Sequence, residues 1–150
     1  MIVRNATTED VFTIVPADHF ERVDEWRNIL GDPKNEHYVD HYCRSFVCDE
    51  RVVGMGGLSP TLPNSGEVWF LLSDDAYRHR VGLARHAASL IHVARDLIDA
   101  RRLTSTLRAN SEVFLKQWNF MEGLGFRCET PDGMGNYLYE ETYYQFARTF

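Results

Sequence analysis

The chain has 150 residues, 44% of them hydrophobic and 25% charged, with a formal net charge of −6. That length suits one domain with its own core, and the acidic balance opposes binding to nucleic acid or to an anionic membrane surface. No apolar run approaches the ~20 residues of a bilayer span and the N-terminus lacks the apolar stretch of a signal peptide, so a cytoplasmic address is expected.

Ile2 to Arg4 begins a short strand, and Thr7 with Asp10 three residues later reads as a helix start capped by the threonine oxygen. Pro16 should interrupt that helix. A second helix is expected over Asp18 to Leu30, where Phe20, Val23, Trp26, Ile29 and Leu30 recur at helical intervals before Gly31-Asp32-Pro33. Lys34 to His41 is polar and leads to a hairpin, Ser45–Cys48 and Arg51–Leu58 around Asp49-Glu50. His37 and His41 lie four apart and on a helix would share a face, as metal ligands or in packing. Cys43, Cys48 and Cys128 are odd in number without CxxC spacing, which suits buried thiols and neither a disulfide framework nor a metal site. Thr61 to Gly66 reads as a loop.

Glu67 to Ala100 then carries the most informative pattern. A strand, Val68 to Leu72, meets a turn, Ser73 to Val81, in which Arg78, His79 and Arg80 stand together, and Gly82 opens a long helix. Leu83, Ala87, Leu90, Ile91, Ala94, Leu97 and Ile98 recur as one buried face of it. A helix N-terminus carries free N–H groups and partial positive charge, so anions collect there, and three basic side chains would add to the pull. An exposed basic turn is the alternative.

Leu103 to Ala109 alternates as a strand, and Asn110 and Ser111 are good N-caps for a helix with Val113, Phe114, Trp118, Met121 and Leu124 on its apolar stripe. Phe126–Glu129 and Asn136–Phe146 are the last strands, on either side of the turn-rich Pro131 to Gly135. Trp69, Trp118, Phe114 and Phe120 suit either an acceptor pocket or the core, and Tyr137, Tyr139, Tyr143 and Tyr144 either a partner surface or a half-buried strand. Strands alternating with helices in this order make a mixed α/β sheet.

The element order, with the opening Val3-Arg4-Asn5-Ala6-Thr7-Thr8-Glu9-Asp10 and the closing Glu122-Gly123-Leu124-Gly125-Phe126, resembles the GNAT superfamily of N-acetyltransferases across nearly the whole chain. Trp69 to Asp75 followed by His79-Arg80 is most similar to small acetyltransferase-like proteins of bacteriophages. The resemblance implies an α/β (α+β) fold, a mixed central sheet of six to seven strands flanked by about four helices, in a single domain.

It further implies acetyl-coenzyme A, its pantetheine arm paired to the backbone of the fourth strand at Leu71, Leu72 and Ser73. The pyrophosphate turn of the family is written Gln/Arg-x-x-Gly-x-Gly/Ala. Gly82 and Ala84 fit its small positions with His79 leading; anchoring on Arg78 puts Val81 and Leu83 there, and Arg80 lies between in either register. Asn110 takes the place of the family's asparagine at the end of the fifth strand, and Met121 stands where the family has a tyrosine near the leaving thiolate. A thioether donates no proton. Glu67, at the start of the fourth strand, is the base the resemblance implies; a solvated strand-end carboxylate is the other reading.

The expected function is therefore acetyl transfer from acetyl-coenzyme A to a primary amine, on a small molecule or a host protein. The alternative is a phage-type module of the same fold, weakly active or inactive, that grips a host protein or a virion component. A homodimer is common among proteins of this look. No metal, nucleic acid or membrane is expected to take part.

Overall fold

The computed structural model describes residues 1–18, 23–109, 111–136 and 141–150. Eight strands form one sheet: β1 (Ile2–Asn5), β2 (Cys43–Cys48), β3 (Arg51–Leu62), β4 (Ser65–Leu72), β5 (Arg102–Arg108), β6 (Arg127–Cys128), β7 (Met134–Asn136) and β8 (Glu141–Thr149). The order across it is β1-β2-β3-β4-β5-β8-β6, with β7 added beside β8. Every pairing is antiparallel except β4 with β5.

The described residues also form six α-helices, α1 (Asp10–Thr13), α2 (Val23–Leu30), α3 (Glu36–Tyr42), α4 (Asp74–Arg78), α5 (Arg80–Leu97) and α6 (Phe114–Gly123). The two helices beyond the expected four are the short α3 and α4, and the short β7 brings the sheet to eight strands. Lys34 to His41, expected as a polar lead-in, holds a 3₁₀ turn and most of α3. Asp32 explains its start: the carboxylate accepts the Lys34 N–H at 2.9 Å, with Pro33 in the first position. Ser73, Asp74 and Asp75 likewise turn an expected loop into α4, because the Ser73 hydroxyl caps the Ala76 N–H and two acids sit in the first turn.

The expected loop at Thr61 to Gly66 is mostly strand. Only Pro63 and Asn64 turn, with Asn64 at φ 62°, a conformation asparagine tolerates. At α1 the expected threonine cap is replaced by an acid reaching back. The Asp10 carboxylate accepts the Thr7 N–H at 2.9 Å, the Ser45 hydroxyl at 2.8 Å and the Arg4 guanidinium at 2.7 and 2.9 Å. One buried carboxylate thus joins β1, α1 and β2.

Side chains alternate across β4, so Val68, Phe70 and Leu72 face α5 and α6 while Trp69 and Leu71 face α1, α2 and α3. A strand covered on both faces needs the apolar run that Val68 to Leu72 supplies. Of the expected α5 face, Leu83, Ala87, Ile91 and Ala94 are buried and Leu90 and Ile98 half-buried, whereas Leu97, in the last turn, is 42% exposed.

Candidate functional site

Parallel strands β4 and β5 pair only at Ser65–Arg102, Gly66–Leu103 and Glu67–Thr104. Beyond Glu67 they diverge, and a cleft of about 510 Å³ opens between Val68–Leu72 on one side and Ser105–Arg108 on the other. The divergence follows from what each strand pairs with next. β4 continues along β3 to Leu72, and β5 continues along β8 to Arg108.

The register decides which main-chain groups line this gap. Pro60 has no N–H, so its partner Gly66 sits in a non-hydrogen-bonded pair with β3, and the Ser73 N–H donates to the Val53 carbonyl at 3.0 Å. Between those two anchors the pairs alternate. Glu67, Trp69, Leu71 and Ser73 turn their amides and carbonyls to β3, whereas Val68, Phe70 and Leu72 turn theirs toward β5. The Leu72 carbonyl accepts the Ala17 N–H at 2.8 Å. The Val68 carbonyl and both main-chain groups of Phe70 therefore form an edge in the cleft with no strand of the described residues beside it. Of the predicted Leu71, Leu72 and Ser73, only Leu72 turns its main chain to that side, and its carbonyl is taken by Ala17.

Because the strands part, the cleft joins the two faces of the sheet. Its wall on the α5 and α6 side holds Tyr77, Gln117, Phe120 and Met121. Phe120 packs edge-on against Phe70 with centroids 5.2 Å apart. The Gln117 Oε1 is buried in that wall with no hydrogen-bond partner among the described residues. Burial, and secondarily the Asp18 charge, push the Tyr77 hydroxyl well above the ordinary tyrosine range, so it keeps its proton.

The opposite wall holds Asp18, Trp26, Glu67, Trp69, Thr106, Arg108 and Tyr143. Glu67 stands where the strands part, half-buried, with the Thr106 hydroxyl 3.5 Å from its Oε1. Trp69 follows on the same face. Its indole N–H donates to the Tyr38 hydroxyl at 3.3 Å, and Tyr38 lies 3.0 Å from the Ser59 hydroxyl, in the residue paired with Glu67. Trp26 meets Trp69 edge-on at 5.3 Å. At the far end of β5, Arg108 hydrogen-bonds the carboxylates of Asp18 and Glu141, and the Tyr143 hydroxyl donates to Glu141.

The predicted phosphate corner lies just outside this cleft. The hydrogen-bond ladder of α5 begins with the Leu83 N–H to the His79 carbonyl at 2.9 Å, so the amides of Arg80, Val81 and Gly82 have no acceptor within that helix. Arg78 is committed to Asp75 at 2.9 Å, while His79, Arg80 and Ala84 are exposed and Val81 is 67% exposed. Leu83 is buried and serves the core. A Cβ on Gly82 would meet only Met1, at an ordinary 3.5 Å, so internal packing does not demand glycine there.

Asn110 lies outside the described residues, as do Tyr137 and Tyr139. Trp69 and Phe120 line the cleft, whereas Trp118 and Phe114 pack with Tyr144 in the core. His37 and His41 stack at 5.9 Å, and no cluster of three or more potential metal ligands occurs among the described residues. Asp18, Trp26, Tyr77, Arg108 and Gln117 went unread in the sequence as a site. Each comes from a different segment, and nothing in local spacing unites them. Among the described residues no helix is long and apolar enough to cross a membrane.

No family model matches the chain, and no curated protein does. Solved structures do. A GNAT-family acetyltransferase from Bacillus anthracis superposes with a TM-score of 0.65 over 98% of this chain and 93% of its own, at 13% identity. The ribosomal-protein-alanine N-acetyltransferase of Brucella melitensis gives 0.67 over 100% of both chains at 18% identity. An acetyltransferase of Bacillus subtilis, solved in complex with CoA, gives 0.56 over 89% of this chain and 96% of its own at 13% identity. The chain has the fold of the GNAT acetyltransferases.

Proposed function

We propose that the protein is a single-domain N-acetyltransferase that takes acetyl from acetyl-coenzyme A and gives it to a primary amine. The observation that carries this is the parting of β4 from β5 after Glu67, which leaves the Phe70 main chain open inside a cleft that connects both faces of the sheet. An amide-bearing chain such as pantetheine is the natural partner for that edge, since it can add to β4 as a strand would. Other features of this chain suit the same ligand: the helix start at Arg80, Val81 and Gly82, and the bare Cα of Gly82. The donor site on this reading comprises Phe70 and Leu72, with Leu71 and Ser73 holding β4 in place, and His79 to Ala84 at the phosphates. Asn110 is included by resemblance, and Arg78 through charge alone.

The bound thioester supplies an activated acyl carbon and a thiolate leaving group. Glu67, at the vertex and on the opposite wall from Met121, receives the proton that the acceptor ammonium must lose before its nitrogen can attack. Met121 has none to return to the thiolate. The Tyr77 hydroxyl, kept protonated by burial on the wall of Met121, is the group there able to do so. Free-thiol release with acetyl-coenzyme A and a panel of primary amines tests the reaction. Glu67→Gln should lower kcat about 10²-fold or more.

Met121 also favours a second reading, a phage-type module that keeps the donor cleft and acts by gripping a host protein. Coenzyme A binding without thiol release on any amine would select it.

A further inference from the structure

The charges and rings on the wall that faces α1 and α2 narrow the acceptor, granted the acetyl-transfer reading above. Among the described residues lining the cleft, Arg108 is the one cation, against the carboxylates of Asp18 and Glu67. Its charge is already spent. Arg108 binds Asp18 and Glu141 at side-chain exposures of only 15%, 13% and 17%, so this cluster is itself net negative. A guanidinium held by two carboxylates offers little to an acidic ligand, because any carboxylate arriving beside it also faces both of its partners.

Trp26 and Trp69 lie in the same wall, and Trp69 is fixed by its bond to Tyr38. Indole faces attract an alkylammonium and give an apolar body something to pack on. Glu67 is two residues from Trp69 on the same strand face, so an ammonium seated on the indole points at the base.

We propose that the acceptor is an ammonium on an apolar body with no carboxylate next to the amine: a free aryl- or alkylamine, or the N-terminus of a peptide, and not a free amino acid. Asp18, Glu67 and Glu141 exclude the carboxylate, and the two indoles hold the body.

Three ligands that share one ring separate the possibilities, namely phenethylamine, phenylalaninamide and phenylalanine. Each is titrated against the whole protein saturated with coenzyme A, and tryptophan fluorescence is the readout. Phenethylamine or phenylalaninamide should bind at least about 10-fold more tightly than phenylalanine, and Glu67→Gln should narrow that gap. The tighter of the two tells a free amine from a peptide terminus. Equal or tighter binding of phenylalanine overturns the proposal, as does binding of none of the three while coenzyme A binds. Failure of coenzyme A itself to bind, measured beforehand by calorimetry, counts against the acetyl-transfer reading instead.

Discussion

Gly57 of β3 and Trp69 of β4 are register partners that share one space: a Cβ on Gly57 would stand 2.2 Å from Cζ2 of the indole. The glycine is thus a seat for a cleft residue. Gly57→Ala should push the ring out, break its bond to Tyr38 and cost about 1–3 kcal/mol. Thermal unfolding reads the loss of stability, and a red-shifted tryptophan emission reads the displaced ring. Tyr38→Phe removes only the hydrogen bonds and should cost about 1 kcal/mol.

Gly82 offers the opposite balance. It lies in the first turn of α5 with room for a methyl, so Gly82→Ala should leave stability unchanged or raise it by up to about 1 kcal/mol. The same methyl stands beside the amides assigned to the phosphates. Coenzyme A affinity should fall at least about 10-fold in calorimetry. A fall in stability together with affinity would mean that the glycine serves the fold.

Asp10 makes stability depend on pH. Burial alone would raise its carboxyl, but hydrogen bonds from Arg4, the Thr7 N–H and Ser45 prevail and hold it below the ordinary carboxylate range. A group depressed in the folded state contributes stability that is present above its unfolded pKa of about 3.9 and lost as pH falls through the folded value. Asp10→Asn should therefore cost about 2 kcal/mol near neutrality. That gap should hold down to about pH 5 and shrink below about pH 4, as urea midpoints across the range would report.

The three thiols should differ in reach. Cys43 is fully buried and burial pushes it up to about 12, Cys48 is buried, and Cys128 is half-buried. Since the thiolate is the reactive form, an aromatic disulfide reagent at about pH 8 should label one cysteine per folded chain, Cys128, and all three after unfolding in denaturant.

The sheet was legible wherever a strand is covered on both faces or alternates, as at Val68 to Leu72 and Leu103 to Arg108, because burial writes itself into a period of two or an apolar run. Two short helices, α3 and α4, were not. The 3₁₀ turn that leads into α3 rests on one cap, Asp32, and α4 on another, Ser73, and a cap is a weaker signal than a stripe. Of the residues that line the cleft, Trp69 was named from its place in the strand and Glu67 through the resemblance. The free edge of β4 could not be read, since it depends on which residue faces β3, a parity set by Pro60 and Ser73 across the hairpin. Arg108 with Asp18 and Glu141 was hidden for a similar reason: the three come from distant segments joined only by folding.

Hydrogen exchange at the Phe70 amide, followed by NMR with and without saturating coenzyme A, is the most direct probe of the donor site. That N–H faces the cleft with no strand of the described residues beside it, so pairing with a pantetheine arm should slow its exchange at least about 10-fold while leaving the Leu71 amide, already turned to β3, little changed. An unaltered Phe70 rate with the ligand bound, or no binding up to about 1 mM, would contradict a donor held along this edge.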